Sequence, residues 1–353
     1  MTLTLSGRPV RFAAVGLDHA HVFGHIKGLL ANGAELVGIT SDDPESDIAK
    51  EVRTRWPAAP WIDDAKQLLS DRTLDLIVTA AIPSRRAAIA IDAMRAGKDV
   101  VTDKPGCITG DELVEIRKVV AETGRFWSVC FSERFEVPSV TRAGELVRDG
   151  RIGTIVQTIG LGPHREVDRA HVFSGTGRPN WFYDRGDTGG IIADIASHQI
   201  DQFLWFTGST SAEVVASTVA NYTHPETPKM QDFGEVLLRS DSAQAYIRVD
   251  WYSPQGLPTW GDGRLIILGT EGYLELRKYV DLDGRPGTDH LFVVDQNSTE
   301  HIDCTNAALT YYPDLINDVR DRTATACPQE HTFEVMRLAL LAQQTAVLRG
   351  DAS

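Results

Sequence analysis

Over the first third of the chain, apolar residues come in short runs, and after each run they recur at helical spacing. Residues 10–16 form a β-rich run ending in Gly16, and an amphipathic stretch over 21–31 follows it. This pair predicts a strand feeding a helix. Residues 35–40 (ELVGIT) read as a second buried strand, followed by the polar turn Ser41-Asp42-Asp43-Pro44 and a helix to about Trp56. Runs at 74–80 and 99–102 flank a helix over 84–96 that stops at Gly97, and a helix over 111–123 leads to a strand over 126–131. Strands alternating with helices of this length imply parallel pairing through right-handed crossovers. An α/β fold with an N-terminal doubly wound parallel sheet over residues 1–130 is expected.

The rhythm changes after about residue 150. Residues 154–160, 212–222, 233–239, 244–252, 264–268, 273–279 and 290–295 read as strands joined by short Gly/Asp/Ser turns. They predict a large open, mainly antiparallel sheet in a second α/β domain, residues 131–353, with a helix over 331–348 packing back on one of the two domains. A length of 353 residues suits two domains. Against 49 Asp and Glu stand 35 Lys and Arg, a net charge of −14 that argues against nucleic acid or an anionic membrane as partner. No run approaches the roughly 18 apolar residues of a membrane span, and Met1 to Phe12 lacks a secretory pattern. Four scattered cysteines without C-x-x-C spacing fit reduced thiols. A cytoplasmic protein with a small-molecule partner is expected.

The turn after the first strand is Gly16-Leu17-Asp18-His19-Ala20-His21. A dinucleotide fingerprint reads G-x-G-x-x-G, whose later glycines let the backbone approach a pyrophosphate. Here Asp18 and His21 hold those two positions. A Gly-ended strand opening a helix still offers backbone N–H groups to phosphate; a tight turn without ligand explains the same residues. Where a ribose-binding carboxylate is expected, about 20 residues on, stand Ser41 and Asp42. Asp42 disfavours a ribose 2′-phosphate and no Arg or Lys adjoins it in sequence, so NAD is expected over NADP. The competing reading is a helix-start turn capped by these side chains. His19, His21 and His25 form H-x-H-x3-H and, with Lys104, His164, His171 and His198, could build a zinc-dependent hydrolase centre. The antiparallel second half speaks against that alternative, and no metal is expected.

Lys104 follows the strand at 99–102 within Asp103-Lys104-Pro105, at the carboxyl end, where a doubly wound sheet opens its ligand crevice. In GGIIADIASHQID, residues 189–201, a helix would project Asp194 and His198 from one face, with Asp201 a turn further. A carboxylate beside an imidazole orients it for acid/base work. An Asp–His surface pair or a satisfied core histidine is the alternative.

Together these segments resemble the glucose-fructose oxidoreductase / inositol dehydrogenase (Gfo/Idh/MocA) family over nearly the whole chain. Asp103-Lys104-Pro105 is similar to its E-K-P, and Gly189, Gly190, Asp194, His198 and Asp201 to its G-G-x3-D-x3-H-x2-D element. Ala96-Gly97-Lys98, Glu133-Arg134-Phe135 and Tyr312-Pro313-Asp314-Leu315 resemble further stretches of it. The resemblance implies a Rossmann domain binding NAD(P), lined by Gly16, Leu17, Asp18, His19, Ser41, Asp42, Ala80, Ala81, Ile82, Asp103, Lys104 and Arg134. It implies that Lys104 bonds the reacting oxygen, that His198 is the general base, and that Asp194 positions His198 or the substrate. His164 and Trp181 fall in the implied substrate wall, and a homo-dimer or homo-tetramer is implied through the open sheet. The chain departs from the family at Asp18 and His21, at Ala81-Ile82 in place of Thr-Pro, and at Asp103 in place of Glu. The activity implied is NAD-dependent oxidation or reduction of a secondary alcohol in a sugar, cyclitol or related polyol. A redox-neutral lyase or glycosidase that retains NAD, and a non-catalytic ligand sensor, are the rival readings.

Overall fold

The computed structural model describes residues 7–166 and 178–349, so His171 lies outside the described residues. In chain order the first elements are β1 (Arg11–Leu17), α1 (Val22–Ala31), β2 (Glu35–Thr40), α2 (Asp47–Arg55), α3 (Ala65–Ser70), β3 (Leu76–Ala80), α4 (Pro83–Arg95), β4 (Asp99–Asp103), α5 (Gly110–Thr123) and β5 (Trp127–Cys130). Next come α6 (Ser132–Phe135), α7 (Pro138–Arg148), β6 (Ile155–Pro163), a 3-10 turn at Asn180–Tyr183, α8 (Arg185–Thr188), a π turn at Ile192–Ala196 and α9 (Ser197–Thr207). The remaining strands and helices are β7 (Glu213–Ala220), β8 (Phe233–Arg239), β9 (Gln244–Asp250), β10 (Arg264–Gly269), β11 (Gly272–Arg277), β12 (His290–Asp295), β13 (Thr299–Asp303), α10 (Tyr311–Asp321), α11 (Gln329–Thr345) and β14 (Val347–Arg349).

The chain divides into two compact units, one running to Cys130 and including Thr310–Phe333, the other made of Phe131–Leu309 and the residues from Glu334. The expected second span, 131–353, is therefore interrupted: α10 and the start of α11 belong to the first unit. The reason is packing between distant residues. Tyr312 Oη lies 3.2 Å from Nδ1 of the buried His25, and its ring occupies the space left by Gly28 of α1. The Gln329 amide bonds both backbone groups of Trp127, each at 2.9 Å.

In the first unit five parallel strands lie in the order β2-β1-β3-β4-β5. Every residue of β3, β4 and β5 is buried, as strands covered on both faces must be. Pro83 opens α4, and a Thr109–Glu112 capping box and the left-handed Gly124 bound α5. Gly16, at φ +76° and one residue before the end of β1, lies so close to the β3–α4 turn that a Cβ there would lie 2.5 Å from Cβ of Ala81.

The second unit holds a nine-stranded sheet in the order β13-β12-β11-β10-β6-β9-β8-β7-β14. Only the β6–β9 and β7–β14 pairs are parallel. Val140, Ala143 and Leu146 of α7 share one apolar core with Ile267, Leu274, Leu276 and Val293 of the sheet. The helix expected over 331–348 ends instead at Thr345. Val347 and Leu348 are exposed, so they add nothing to a helical core stripe, and their backbone pairs with the edge of β7. No helix among the described residues is long and apolar enough to cross a membrane.

Candidate active site

The first unit's crevice lies where the strand order reverses, between β1 and β3, at their carboxyl ends. The backbone N–H groups of Asp18 and His19 donate to Ala80 O at 3.0 and 2.9 Å. These two donors, expected to face a phosphate, are thus engaged by β3. Asp18 Oδ2 accepts from Ile82 N at 3.1 Å, which draws the carboxylate onto the β3–α4 turn. Burial raises the Asp18 pKa, and the Ile82 N–H partly opposes that.

At the end of β2, Asp42 Oδ2 accepts from Arg85 Nη1 of α4 at 2.8 Å. A cation does stand beside this carboxylate, brought from 43 residues away, so Asp42 does not by itself select NAD over NADP. Nor do Ser41 and Asp42 cap the following helix: Ser46 does, accepting from Ala49 N at 3.2 Å.

Asp103, Lys104 and Pro105 close β4 as expected, and all three are buried. The fully buried Arg86 frames them, a role no local pattern signals. Its Nε donates to Ala81 O at 2.7 Å, its Nη1 to the carbonyls of Lys104 and Pro105, and its Nη2 to Asp103 Oδ2 at 3.1 Å. Both histidines of the H-x-H pair also reach Asp103. His21 Nδ1 lies 2.8 Å from Oδ1, where Lys104 N also donates at 2.8 Å, and His19 Nδ1 lies 3.2 Å from Oδ2. Burial opposes the Asp103 charge, but His21, Arg86 and His19 together hold its pKa well below the usual carboxylate range. Burial, then the neighbouring His21, pulls His19 far below the usual imidazole range.

In the second unit, Gly189 and Gly190 turn the chain at φ +82° and +89°. The bare Cα of Gly190 admits Gln231 and Gln343, whose Oε1 atoms accept from Ile191 N at 3.1 Å and Ile192 N at 3.0 Å. The helix then starts as a π turn that carries Asp194, and His198 falls in the first turn of α9. The regular α-helical i, i+4 relation expected of Asp194 and His198 is thereby corrected, and such turns are frequent at functional sites. His198 is buried, Asp194 half-buried.

Asp201, fully buried, accepts from Arg134 Nε and Nη2, both at 2.7 Å. Arg134 was expected at the cofactor. It stands in the second unit, its guanidinium on Asp201 and over the rings of Phe135 and Trp205 at 4.2 and 5.3 Å. Glu133 and Lys278, which sequence reasoning missed, form a buried pair that also bonds Gln199 and Gln202 of α9, at 3.0 and 3.1 Å. Burial would raise the Glu133 pKa, but Lys278 and then His198 lower it to about 2. His164 packs against Trp260 and Trp251, ring centroids 4.7 and 5.4 Å away. Trp181 lies in the 3-10 turn, next to the buried Phe182, whose ring is 4.9 Å from Trp251.

A further unforeseen pair of contacts is at His224, whose Nε2 is 2.9 Å from Glu166 Oε2 and Nδ1 3.2 Å from Asp232 Oδ2. Burial lowers its pKa, but the bonds to Asp232 and Glu166 outweigh that and raise it above 6.5. A raised histidine pKa stabilises the fold fully below the unfolded value, and the gain is lost as pH rises through the folded value. Melting of wild type and His224→Gln should therefore differ more at about pH 5.5 than at about pH 8.5. An equal gap at both would show that the ring is neutral between its carboxylates.

A parallel doubly wound sheet with a framed lysine at a strand's carboxyl end, followed by a mixed open sheet, defines a two-unit α/β architecture. Residues 10–131 match the family described as "Oxidoreductase family, NAD-binding Rossmann fold", and residues 140–275 match the GFO/IDH/MocA C-terminal domain. The chain belongs to the GFO/IDH/MocA family. A solved structure from Erwinia carotovora atroseptica SCRI1043, described only as an oxidoreductase, is 44% identical, with a TM-score of 0.91 over 97% of this chain and 100% of that one. Bacillus subtilis scyllo-inositol 2-dehydrogenase (NAD(+)) is 25% identical over 74% of this chain and 72% of its own. The NADP(+) enzyme IolW of the same organism is 23% identical over 84% of each. The match spans only about half or less of two other curated relatives: 54% of Escherichia coli YdgJ and 38% of Paenarthrobacter nicotinovorans D-xylose dehydrogenase.

Proposed function

We propose that the protein is a NAD-dependent dehydrogenase acting on a secondary alcohol of a sugar, cyclitol or related polyol, with Lys104 and His198 as its catalytic pair. The observation that carries this reading is Lys104, framed by Arg86 at the end of β4 in a domain of the NAD-binding oxidoreductase type. The inositol dehydrogenases among its relatives support the substrate class. Arg85 beside Asp42 admits NADP as a second cofactor.

A nicotinamide dinucleotide bound at the carboxyl ends of β1 and β3 would supply the hydride acceptor for oxidation and the hydride donor for reduction. Lys104 bonds the reacting oxygen and stabilises the charge that develops on it. His198 takes the hydroxyl proton in oxidation and returns it in reduction. Asp194 positions His198 or a substrate hydroxyl, while His164 and Trp181 wall the substrate, with Trp251 and Trp260 flanking His164. Polyol hydroxyls pair with such polar groups, which an apolar alcohol would leave unpaired. Half-exposed Leu237, Leu268 and Tyr273 on the strands of the second sheet support a homo-dimer or homo-tetramer. The cytosol is the proposed compartment.

The reading is tested by a thermal-shift panel of NAD, NADP and polyols, since ligand at 100 times its Kd stabilises a fold by about 2.7 kcal/mol. Compounds that shift the melt are then assayed for NAD(P)H formation. His198→Asn is expected to lower turnover by about 10²–10⁴-fold while dinucleotide binding persists. No shift with either dinucleotide would overturn the proposal, and substrate consumption without net NAD(P)H would favour the redox-neutral lyase or glycosidase.

A further inference from the structure

We propose that His19, His21 and Asp103 bind one divalent late first-row metal ion of the Zn²⁺, Ni²⁺ or Co²⁺ type. One ring nitrogen from each histidine and one Asp103 oxygen all lie within 4.8 Å of one another. Ligands about 2.0–2.2 Å from a shared ion stand about 2.8–3.4 Å apart at angles of about 90–109°. His21 Nδ1 lies 2.8 Å from Asp103 Oδ1 and His19 Nδ1 3.2 Å from Asp103 Oδ2, so the carboxylate turns one oxygen to each ring at separations in that range, and the two imidazole centroids are 4.2 Å apart. Two imidazoles and one carboxylate, without a thiolate, suit these borderline ions better than soft Cu(I) or hard Ca²⁺. Three protein ligands leave positions open for water or an oxygen ligand.

The donors stand on fixed backbone. Asp103 is the last residue of β4, and the turn carrying the histidines is bonded to Ala80 O. Arg86 Nη2 and Lys104 N orient the carboxylate from its other sides, as outer partners of metal ligands do. The histidine side chains remain 23% and 36% exposed, so an ion can enter from solvent. Arg86 partly neutralises Asp103 from the buried side, so the imidazoles carry much of the affinity, which falls short of that of a four-ligand structural zinc site. His19 and Asp103 also fall in the implied dinucleotide lining, so the test below reads metal binding in the absence of dinucleotide.

The test is titration of chelator-stripped, full-length protein with Zn²⁺ and Co²⁺, followed by calorimetry and by the visible Co²⁺ spectrum. One ion per chain is expected, and His19→Ala or His21→Ala should weaken binding by more than the about 10–100-fold that outer-shell changes cost. Melting curves confirm that each variant folds. In wild type, Zn²⁺ should also protect both histidines from diethylpyrocarbonate, mapped by peptide mass, which keeps the proposal testable if a variant does not fold. Absence of stoichiometric binding, unchanged binding in the double His19→Ala/His21→Ala variant, or modification of both rings at the same rate with and without Zn²⁺ would overturn it.

Discussion

Lys104→Ala is expected to lower kcat on a polyol substrate by about 10²–10³-fold, the usual cost of removing one donor aimed at a developing oxyanion. The fold should survive the change. Arg86 grips this segment through the carbonyls of Lys104 and Pro105 and through the Asp103 carboxylate, none of which the substitution removes. Asp103, at the end of β4, likewise keeps its bond from the Lys104 backbone N–H. Dinucleotide affinity, measured by fluorescence titration, should stay within a few fold of wild type. Equal falls in kcat and kcat/KM would mark an interaction made in the transition state alone. Turnover at the wild-type rate would remove Lys104 from the chemistry, and a rise in KM alone would make it a binding residue.

The parallel half of the fold is legible because its strands and helices differ in period and are punctuated by Gly and Pro. The same pattern places Lys104 correctly at the end of β4. What the pattern misses is carried by partners far apart in the chain. His21 meets Asp103 across 82 residues and Lys278 meets Glu133 across 145. The stretch from Gly189 to His198 has the same spacing whether its first turn is α or π, and Gln231 and Gln343 contribute the bonds at its start. Asp42 lacks a sequence neighbour of positive charge yet gains Arg85 from the first turn of α4. Apolar Val347 and Leu348 look like a helix continued, although the free edge of β7 takes their backbone. Composition and periodicity report which faces are apolar; they do not report which polar groups a folded chain brings together.

Asp201→Ala is expected to destabilise the second unit by about 3–5 kcal/mol, because it removes the fully buried carboxylate that a buried guanidinium bonds through two nitrogens. The pair joins α6 to α9, the helix that carries His198. Trp205 of the same helix lies under the Arg134 guanidinium and fills the space that Gly144 leaves on α7, where a Cβ would lie 2.1 Å from its ring. Loss of Asp201 removes a carboxylate that balances the Arg134 charge where water reaches poorly. Urea unfolding should show the loss as a lower midpoint at an unchanged slope. Arg134→Met/Asp201→Leu should recover most of it, since a buried pair replaced by apolar groups of similar volume is often neutral. A wild-type midpoint for Asp201→Ala would mean that packing around Trp205, and not the ion pair, holds α9 in place. A double variant no better than Asp201→Ala would mean that the carboxylate also supports the fold through partners other than Arg134.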